Sequence, residues 1–177
     1  MTSPFLVIID GPMGSGKTTT TKLLNQMLPN SARIALPDIK RLIPNYKETE
    51  GTLSIVREVM KVMVDKYLEF GVSVVVECIS KSEGVEAFKT IAKNRNATFR
   101  AYRLTAPKDK RWSRVLERTR EMMDVSELPV EKIAELEGYF EPNHQFYVDN
   151  PIPNAELIDT DQLSAAEVTE IIIGKLK

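Results

Sequence analysis

Hydrophobic positions along the chain switch repeatedly between strand-like runs and a helix-like period. The apolar run from Phe5 to Ile9 has the length of a buried strand, and a glycine-rich turn leads from it into a helical pattern over residues 18–28 that Pro29 stops. Residues 32–36 read as a second strand, closed by Pro37. Over residues 52–70, Val56, Val59, Met60, Met63, Val64, Tyr67 and Leu68 recur three and four apart. That spacing predicts a long amphipathic helix, with Thr52 as its N-cap and Gly71 just past its end. The β-branched run 72–77 predicts a third, buried strand. Ser80 and Glu83 have capping-box spacing ahead of the helical pattern of Val85, Phe88 and Ile91. Residues 98–105 give a fourth strand, and Pro107 suits the first turn of a helix running to Glu121. Residues 155–159 give a fifth strand, followed by a capping box of Ser164 and Glu167, with Leu163 and Val168 placed as its hydrophobic staple. One stretch breaks the rhythm. Residues 122–153 hold four prolines and a single weak helical pattern over 130–140, which predicts a mobile excursion.

Strand alternating with helix predicts an α/β fold of three layers, a parallel sheet covered on both faces. No repeat, low-complexity tract or linker divides residues 1–177, so they read as one domain. Composition agrees: 42% of residues are hydrophobic and 28% charged, the balance of a globular chain with one core. No apolar run approaches the roughly 20 residues that cross a bilayer, and the first residues lack a basic leader, so a soluble, cytoplasmic protein is expected. The single cysteine, Cys78, excludes an internal disulfide and a Cys-rich zinc site, and the single histidine, His144, cannot build a metal cluster. A net charge of -1 demands no polyanionic partner, so long nucleic acid is disfavoured, although a local basic face stays open. No feature speaks to the oligomeric state.

Between the first strand and the first helix stands the run Gly11, Pro12, Met13, Gly14, Ser15, Gly16, Lys17, Thr18, a full match to the phosphate-binding P-loop (Walker A) pattern in the strand-loop-helix setting it requires. Its glycines let backbone N–H groups curl around phosphate oxygens, and the helix N-terminus adds positive potential. Lys17 reaches the β and γ phosphates, and the Thr18 hydroxyl ligates magnesium. Gly11 through Thr19 are the expected nucleotide-binding residues. Met13 contributes backbone, and nothing in the sequence explains its side chain. The third strand ends Val76, Glu77, Cys78, Ile79, without an Asp-x-x-Gly switch, and no Asn-Lys-x-Asp guanine signature occurs, which argues against a regulatory GTPase.

Three further groups carry two readings each. Asp38, at the carboxyl end of the second strand, either caps a short helix and pairs with Arg41, or accepts a proton from an attacking hydroxyl. Glu77 either pairs with Lys81, or serves a magnesium ion through water or a substrate. Arg111, Arg114 and Arg118 fall on one stripe of a helix, beside an apolar stripe of Trp112, Val115, Leu116 and Met122, while Arg120 points away. They are either a solvated face paired with Glu117 and Glu121 or a line of phosphate ligands.

Together, the P-loop, the Asp38-x-x-Arg41 pair, Glu77 at the third strand end, Arg114-x-x-x-Arg118 and the terminal Ile158, Asp159, Thr160 resemble the small P-loop kinases. The pattern is most similar to the branch holding polynucleotide 5′-hydroxyl kinases, zeta-toxin-like kinases and chloramphenicol phosphotransferase, and it covers nearly the whole chain. The resemblance implies a five-stranded parallel sheet in the order 2-3-1-4-5, ATP and Mg2+, and a closing lid, here residues 122–153. It makes Lys17, Asp38 and Arg118 catalytic, with Asp38 as the base and Arg118 reaching the phosphates. It places Arg114 against adenine and Arg41 at the acceptor, and Glu77, from its place beside the loop, is the further expected substrate contact. The expected activity is transfer of the γ-phosphoryl group of ATP to a hydroxyl of a small molecule or a nucleic-acid 5′ end. A nucleoside monophosphate kinase, with a phosphate as acceptor, and a non-kinase ATPase or switch module are the alternatives.

Overall fold

All five apolar runs become strands of a single sheet. A computed structural model describes residues 3–46, 50–78, 81–152 and 155–176. The strands are β1 (Phe5–Asp10), β2 (Ser31–Ala35), β3 (Ser73–Glu77), β4 (Thr98–Thr105) and β5 (Glu156–Asp159). They run parallel in the expected order, β2-β3-β1-β4-β5, so β1 is central, with Leu6 opposite Val74 on one side and Phe99 on the other. The connecting helices are α1 (Lys17–Met27), α2 (Leu36–Arg41), α3 (Glu50–Glu69), α4 (Ser82–Asn94), α5 (Lys108–Met123), α6 (Val130–Asp149) and α7 (Ala165–Gly174).

The period-two alternation of β1 splits the core in two. Leu6 and Ile8 enter a cluster with Val56, Met60, Val64 and Phe88 of α3 and α4. Val7 and Ile9 enter a second with Leu24 of α1 and Val168 and Ile172 of α7. All four β1 side chains are fully buried, each worth about 1.5–3 kcal/mol relative to exposure. Every strand therefore delivers its carboxyl end to one edge of a covered sheet, where ligands of such folds collect.

Local signals and structure differ at a few places. Pro37 ends β2 by starting α2: it stands at the helix's first positions, where a missing N–H costs nothing. α3 begins at Glu50, so Thr52 lies inside it rather than capping it. Ser80 is outside the described residues, and α4 has Lys81 at its N-cap without a side-chain bond. The Ser164 and Glu167 capping box is present, and Leu163 packs on the cluster that holds Val168. Met122 is largely exposed and no part of an apolar stripe.

The largest difference lies in residues 122–153. Most of that stretch is α6, a helix of 20 residues that continues through Pro142. The proline removes a backbone hydrogen bond and disfavours a helix interior by about 3 kcal/mol, which is why the sequence pattern alone ends the helix at Phe140. Burial on both sides outweighs it. Leu136 and Phe140 form a third cluster with Val115, joined by Trp112, Leu116, Leu128 and Met13, and Tyr147 is buried beyond the proline. Among the described residues no helix is long and apolar enough to cross a membrane.

Candidate functional site

The loop joining β1 to α1 adopts backbone that admits glycine alone at two points. Gly11 has φ +148°, and a Cβ there would lie 2.3 Å from the Leu104 carbonyl oxygen; Gly14 has φ +81°, and a Cβ would lie 2.4 Å from that of Arg111. Both neighbours are backbone and cannot yield. α1 then starts behind Gly16 with no side-chain cap, leaving its first-turn N–H groups without a side-chain acceptor. In front of them is a cleft of about 470 Å³, lined by the loop from Gly14 onward together with Arg114, Arg118 and Thr160. Of the expected phosphate-binding residues, Gly14, Ser15, Gly16, Lys17, Thr18 and Thr19 line it, whereas Gly11, Pro12 and Met13 do not. Lys17 Nζ donates to the Pro12 carbonyl at 3.0 Å. Burial pushes its pKa down, the Asp10 and Glu77 carboxylates hold it up, and the Arg118 guanidinium pushes it down again.

A chain of hydrogen bonds runs from this loop to Asp38. Thr18 Oγ1 donates to Glu77 Oε1 at 2.5 Å, and Thr21 Oγ1 to Glu77 Oε2 at 3.0 Å. The Oε2 atom also pairs with the Arg33 guanidinium, which reaches Asp38 Oδ2 at 2.8 Å with its other terminal nitrogen and Thr21 Oγ1 with Nε at 2.9 Å. Arg41 Nη1 donates to Asp38 Oδ1 at 2.7 Å. Glu77 is thus buried and compensated, by Arg33 and two threonines and not by Lys81. Asp38 does pair with Arg41 but does not cap α2, whose N-cap is Ala35. It sits in the first turn, where a carboxylate suits the helix dipole.

The arginine stripe of α5 divides by role. Arg114 lines the cleft while donating to Thr160 O at 2.6 Å and Thr160 Oγ1 at 3.0 Å, tying the end of β5 to the loop. Arg118 lines the same cleft and is near enough to depress the Lys17 pKa. Arg111 is buried instead, donating to Ala106 O at 3.0 Å and Met13 O at 3.2 Å. Its remaining nitrogen lies 3.0 Å from His144 Nδ1, and its guanidinium covers the Phe140 ring. No ion pair to Glu117 or Glu121 is present among the described residues. Trp112 packs on Phe140 at 5.0 Å between ring centroids, a core contact.

A second cleft of about 470 Å³ opens beyond the end of β3, between α3 and α4. Its walls are largely apolar, from Leu36, Met60, Cys78, Phe88 and Phe146, while Arg57, Lys61 and Lys81 bring positive charge and Glu58 and Glu83 negative. Arg57 lines this cleft from α3.

Several residues that hold the site escaped the sequence reading. Asp10 is buried at the end of β1, where Arg103 Nη2 donates to its Oδ2 at 3.0 Å and the Tyr147 hydroxyl to its Oδ1 at 2.6 Å. Burial, with the Asp10 carboxylate second, drives the Tyr147 pKa far up, so the phenol stays a donor. Asn143 Oδ1 accepts the Met13 N–H at 2.7 Å. One signal was available: Arg33 and Arg103 are charges inside strand runs, and Asp10 and Arg103 are register partners on adjacent strands. His144 lies in α6 and not in irregular chain.

Comparison with known proteins places this architecture. The zeta toxin family profile matches residues 1–134, well over half of the chain. The chain belongs to the zeta toxin family. No curated protein matches this family member. Among solved structures it is similar to the APS kinase of Mycobacterium tuberculosis in complex with AMPPNP and APS, at 14% identity and TM-score 0.67, covering 98% of each chain. It is similar to the tunicamycin resistance protein of Deinococcus radiodurans, at 18% identity and TM-score 0.58, covering 97% of this chain and 94% of that one. A gluconokinase from Sinorhizobium meliloti 1021 gives 13% identity and TM-score 0.63, with 99% and 93% covered. At such identities the likeness is one of fold, and the fold is that of the P-loop kinases.

Proposed function

We propose that this zeta toxin family member is an ATP-dependent kinase that moves the γ-phosphoryl group of ATP onto an acceptor hydroxyl. The observation that carries the reading is the continuous path from Thr18 through Glu77 and Arg33 to Asp38, which joins a phosphate-binding loop to a carboxylate at the neighbouring strand end. Phosphoryl transfer asks a protein for little besides positioning and charge. The loop supplies backbone N–H donors, and Ser15 Oγ, buried without a hydrogen-bond partner, is a polar atom that an anion in the loop would engage directly or by a small shift. Lys17 and Arg118 would neutralise the transferring group, and Arg114 would hold the base side of the cleft.

The residues fit magnesium. Thr18 Oγ1 and Glu77 offer two hard oxygen donors side by side, and Mg2+ is usually held by one or two protein oxygens with phosphates and waters completing the shell. When bound, the ion would withdraw charge from the β and γ phosphate oxygens. Asp38 would take the proton of the acceptor and Arg41 would orient it; with Asp38 half-exposed and both its oxygens engaged by arginines, an entering acceptor displaces one of those ion pairs. The acceptor would occupy the second cleft. The α5–α6 hairpin would serve as the lid, moving at its tip between Asp124 and Pro129, since the far end of α6 is tied to Asp10.

One observation favours a second reading. Arg57, Lys61 and Lys81 around the second cleft suit a phosphate acceptor, as in a nucleoside monophosphate kinase, which has no proton for Asp38 to take. The test is a panel of hydroxyl and phosphate acceptors with γ-labelled ATP and magnesium, read as label transfer above the rate to water. A chain that binds ATP but labels only water is a switch or ATPase, and the kinase reading fails.

A further inference from the structure

Met13 sits mid-loop and is gripped by every group it has. Its N–H is accepted by Asn143 Oδ1 of α6 at 2.7 Å, its carbonyl accepts from Arg111 of α5 at 3.2 Å, and its side chain packs in the cluster of Phe140, Trp112 and Leu116. The next residue, Gly14, lies against the Arg111 backbone so closely that no Cβ fits. The loop that would cradle phosphate is therefore bound at its tip to the α5–α6 hairpin, through the backbone and side chain of Met13 and the backbone of Gly14.

The turn of α6 that makes this contact touches everything else of interest. His144 faces the same Arg111 that holds Met13, Phe146 lines the second cleft, and Tyr147 bonds Asp10 at the base of the loop. Pro142 comes immediately before, so α6 lacks a backbone hydrogen bond there and can pivot at that point. An amide suits the task, because its oxygen holds an N–H without setting a negative charge beside the place of the phosphates.

We propose that Asn143 is a positioning residue that sets the tip of the P-loop and passes its ligand state along one turn of α6 to Phe146 and the second cleft, so that nucleotide prepares the acceptor side. The proposal rests on the reading of the first cleft as a nucleotide site. Filling the loop with phosphate changes the demands on its N–H groups, and the Met13–Asn143 bond is the route by which α6 registers it.

The chain carries its own reporters: a single tryptophan, Trp112, in the Met13 cluster, and a single cysteine, Cys78, in the second cleft. The full chain is titrated with MgADP, following heat by calorimetry, Trp112 emission, and the rate at which iodoacetamide alkylates Cys78. In the unsubstituted protein Trp112 emission changes with the calorimetric midpoint, and the Cys78 rate changes at least about fivefold. Asn143→Ala keeps ADP affinity within about fivefold, the worth of one neutral hydrogen bond, yet loses most of the Trp112 amplitude and of the Cys78 effect at saturation. Asn143→Asp keeps the acceptor oxygen, so it retains the saturated amplitudes while binding ADP more weakly. Full amplitudes in Asn143→Ala overturn the proposal. So does a parallel loss of affinity and amplitude in that variant, which would make Asn143 a plain support of the loop, or ADP binding with no response from either reporter in the unsubstituted chain. Absence of ADP heat in the unsubstituted chain removes the nucleotide reading itself, a failure visible before any variant is made.

Discussion

The two clefts at the carboxyl edge of the sheet are built from different materials. The first is made mostly of backbone: a loop whose shape is dictated by Gly11 and Gly14, and a helix start left uncapped. The second is made of side chains from α2, α3, α4, α6 and the end of β3, and the network beside it ends in Asp38 and Arg41, which are well exposed. Backbone donors are rigid and indifferent to what lies beyond the phosphate, so one such loop serves many kinases. Side-chain walls can be exchanged one residue at a time, so on the proposed reading they are where the acceptor would be chosen. The difference predicts that substitutions on the first side abolish chemistry for every acceptor, whereas those on the second side discriminate among acceptors.

The sharpest break in that comparison is Asp38→Asn. With a hydroxyl acceptor it should lower kcat by about 10²–10⁴ with nucleotide affinity retained, measured by single-turnover label transfer. Normal turnover would move the acceptor to a phosphate. Lys17→Ala should cost about 10²–10³ in kcat with every acceptor and leave the melting curve intact, because on the proposed reading the side chain would serve ligand and not core. A loss confined to some acceptors would contradict the division between the clefts. Arg118→Ala should lower turnover at least about tenfold more than Arg120→Ala, as expected for a charge-assisted contact to phosphate. In the same experiment, amides of the tip between α5 and α6 should slow their hydrogen exchange when AMPPNP and magnesium are added; equal losses and unchanged exchange would remove the lid.

The smallest effect concerns pH. Burial first, then Arg111 and Lys108, lower the His144 pKa in the folded protein, with Glu141 opposing. The unfolded chain therefore takes up the proton more readily as pH falls below about 6.5, and folding stability declines in that window. Thermal melting from about pH 7.5 down to 5.5 should show His144→Gln losing less stability than the unsubstituted chain. A steeper acid limb in the variant would reverse the sign and the assignment.

What could be read from sequence follows the same division. The five strands, the glycine-rich loop and the final capping box were legible because each rests on local rules: strand period, glycine at forced φ, and Ser164 reading Glu167 three residues on; the sheet order is non-local and came from the resemblance alone. α6 was misjudged because Pro142 speaks louder in a window of sequence than Phe140 and Tyr147, whose burial depends on distant partners. Arg33 was passed over for the same reason, since its three partners come from α1, β3 and α2. Asp38 and Glu77 were visible singly, but the guanidinium that joins them was not.

The central place of β1 also governs how the chain comes to be folded. β1 is the first of the five strands in chain order, yet its hydrogen-bonded neighbours are β3 and β4, so Leu6 must wait for Val74 and Phe99. During synthesis the apolar segment from Phe5 to Ile9 has no partner strand until β3 has emerged and only one until the ribosome has released Thr105, and parallel pairing over such separations is slow. A chain cut short before β4 thus leaves one edge of the sticky, β-branched β1 segment unpaired, a substrate for holding chaperones or for self-association. The P-loop cannot exist in that interval. Its glycines are shaped against Leu104 and Arg111, so this loop is among the last parts of the molecule to acquire its form.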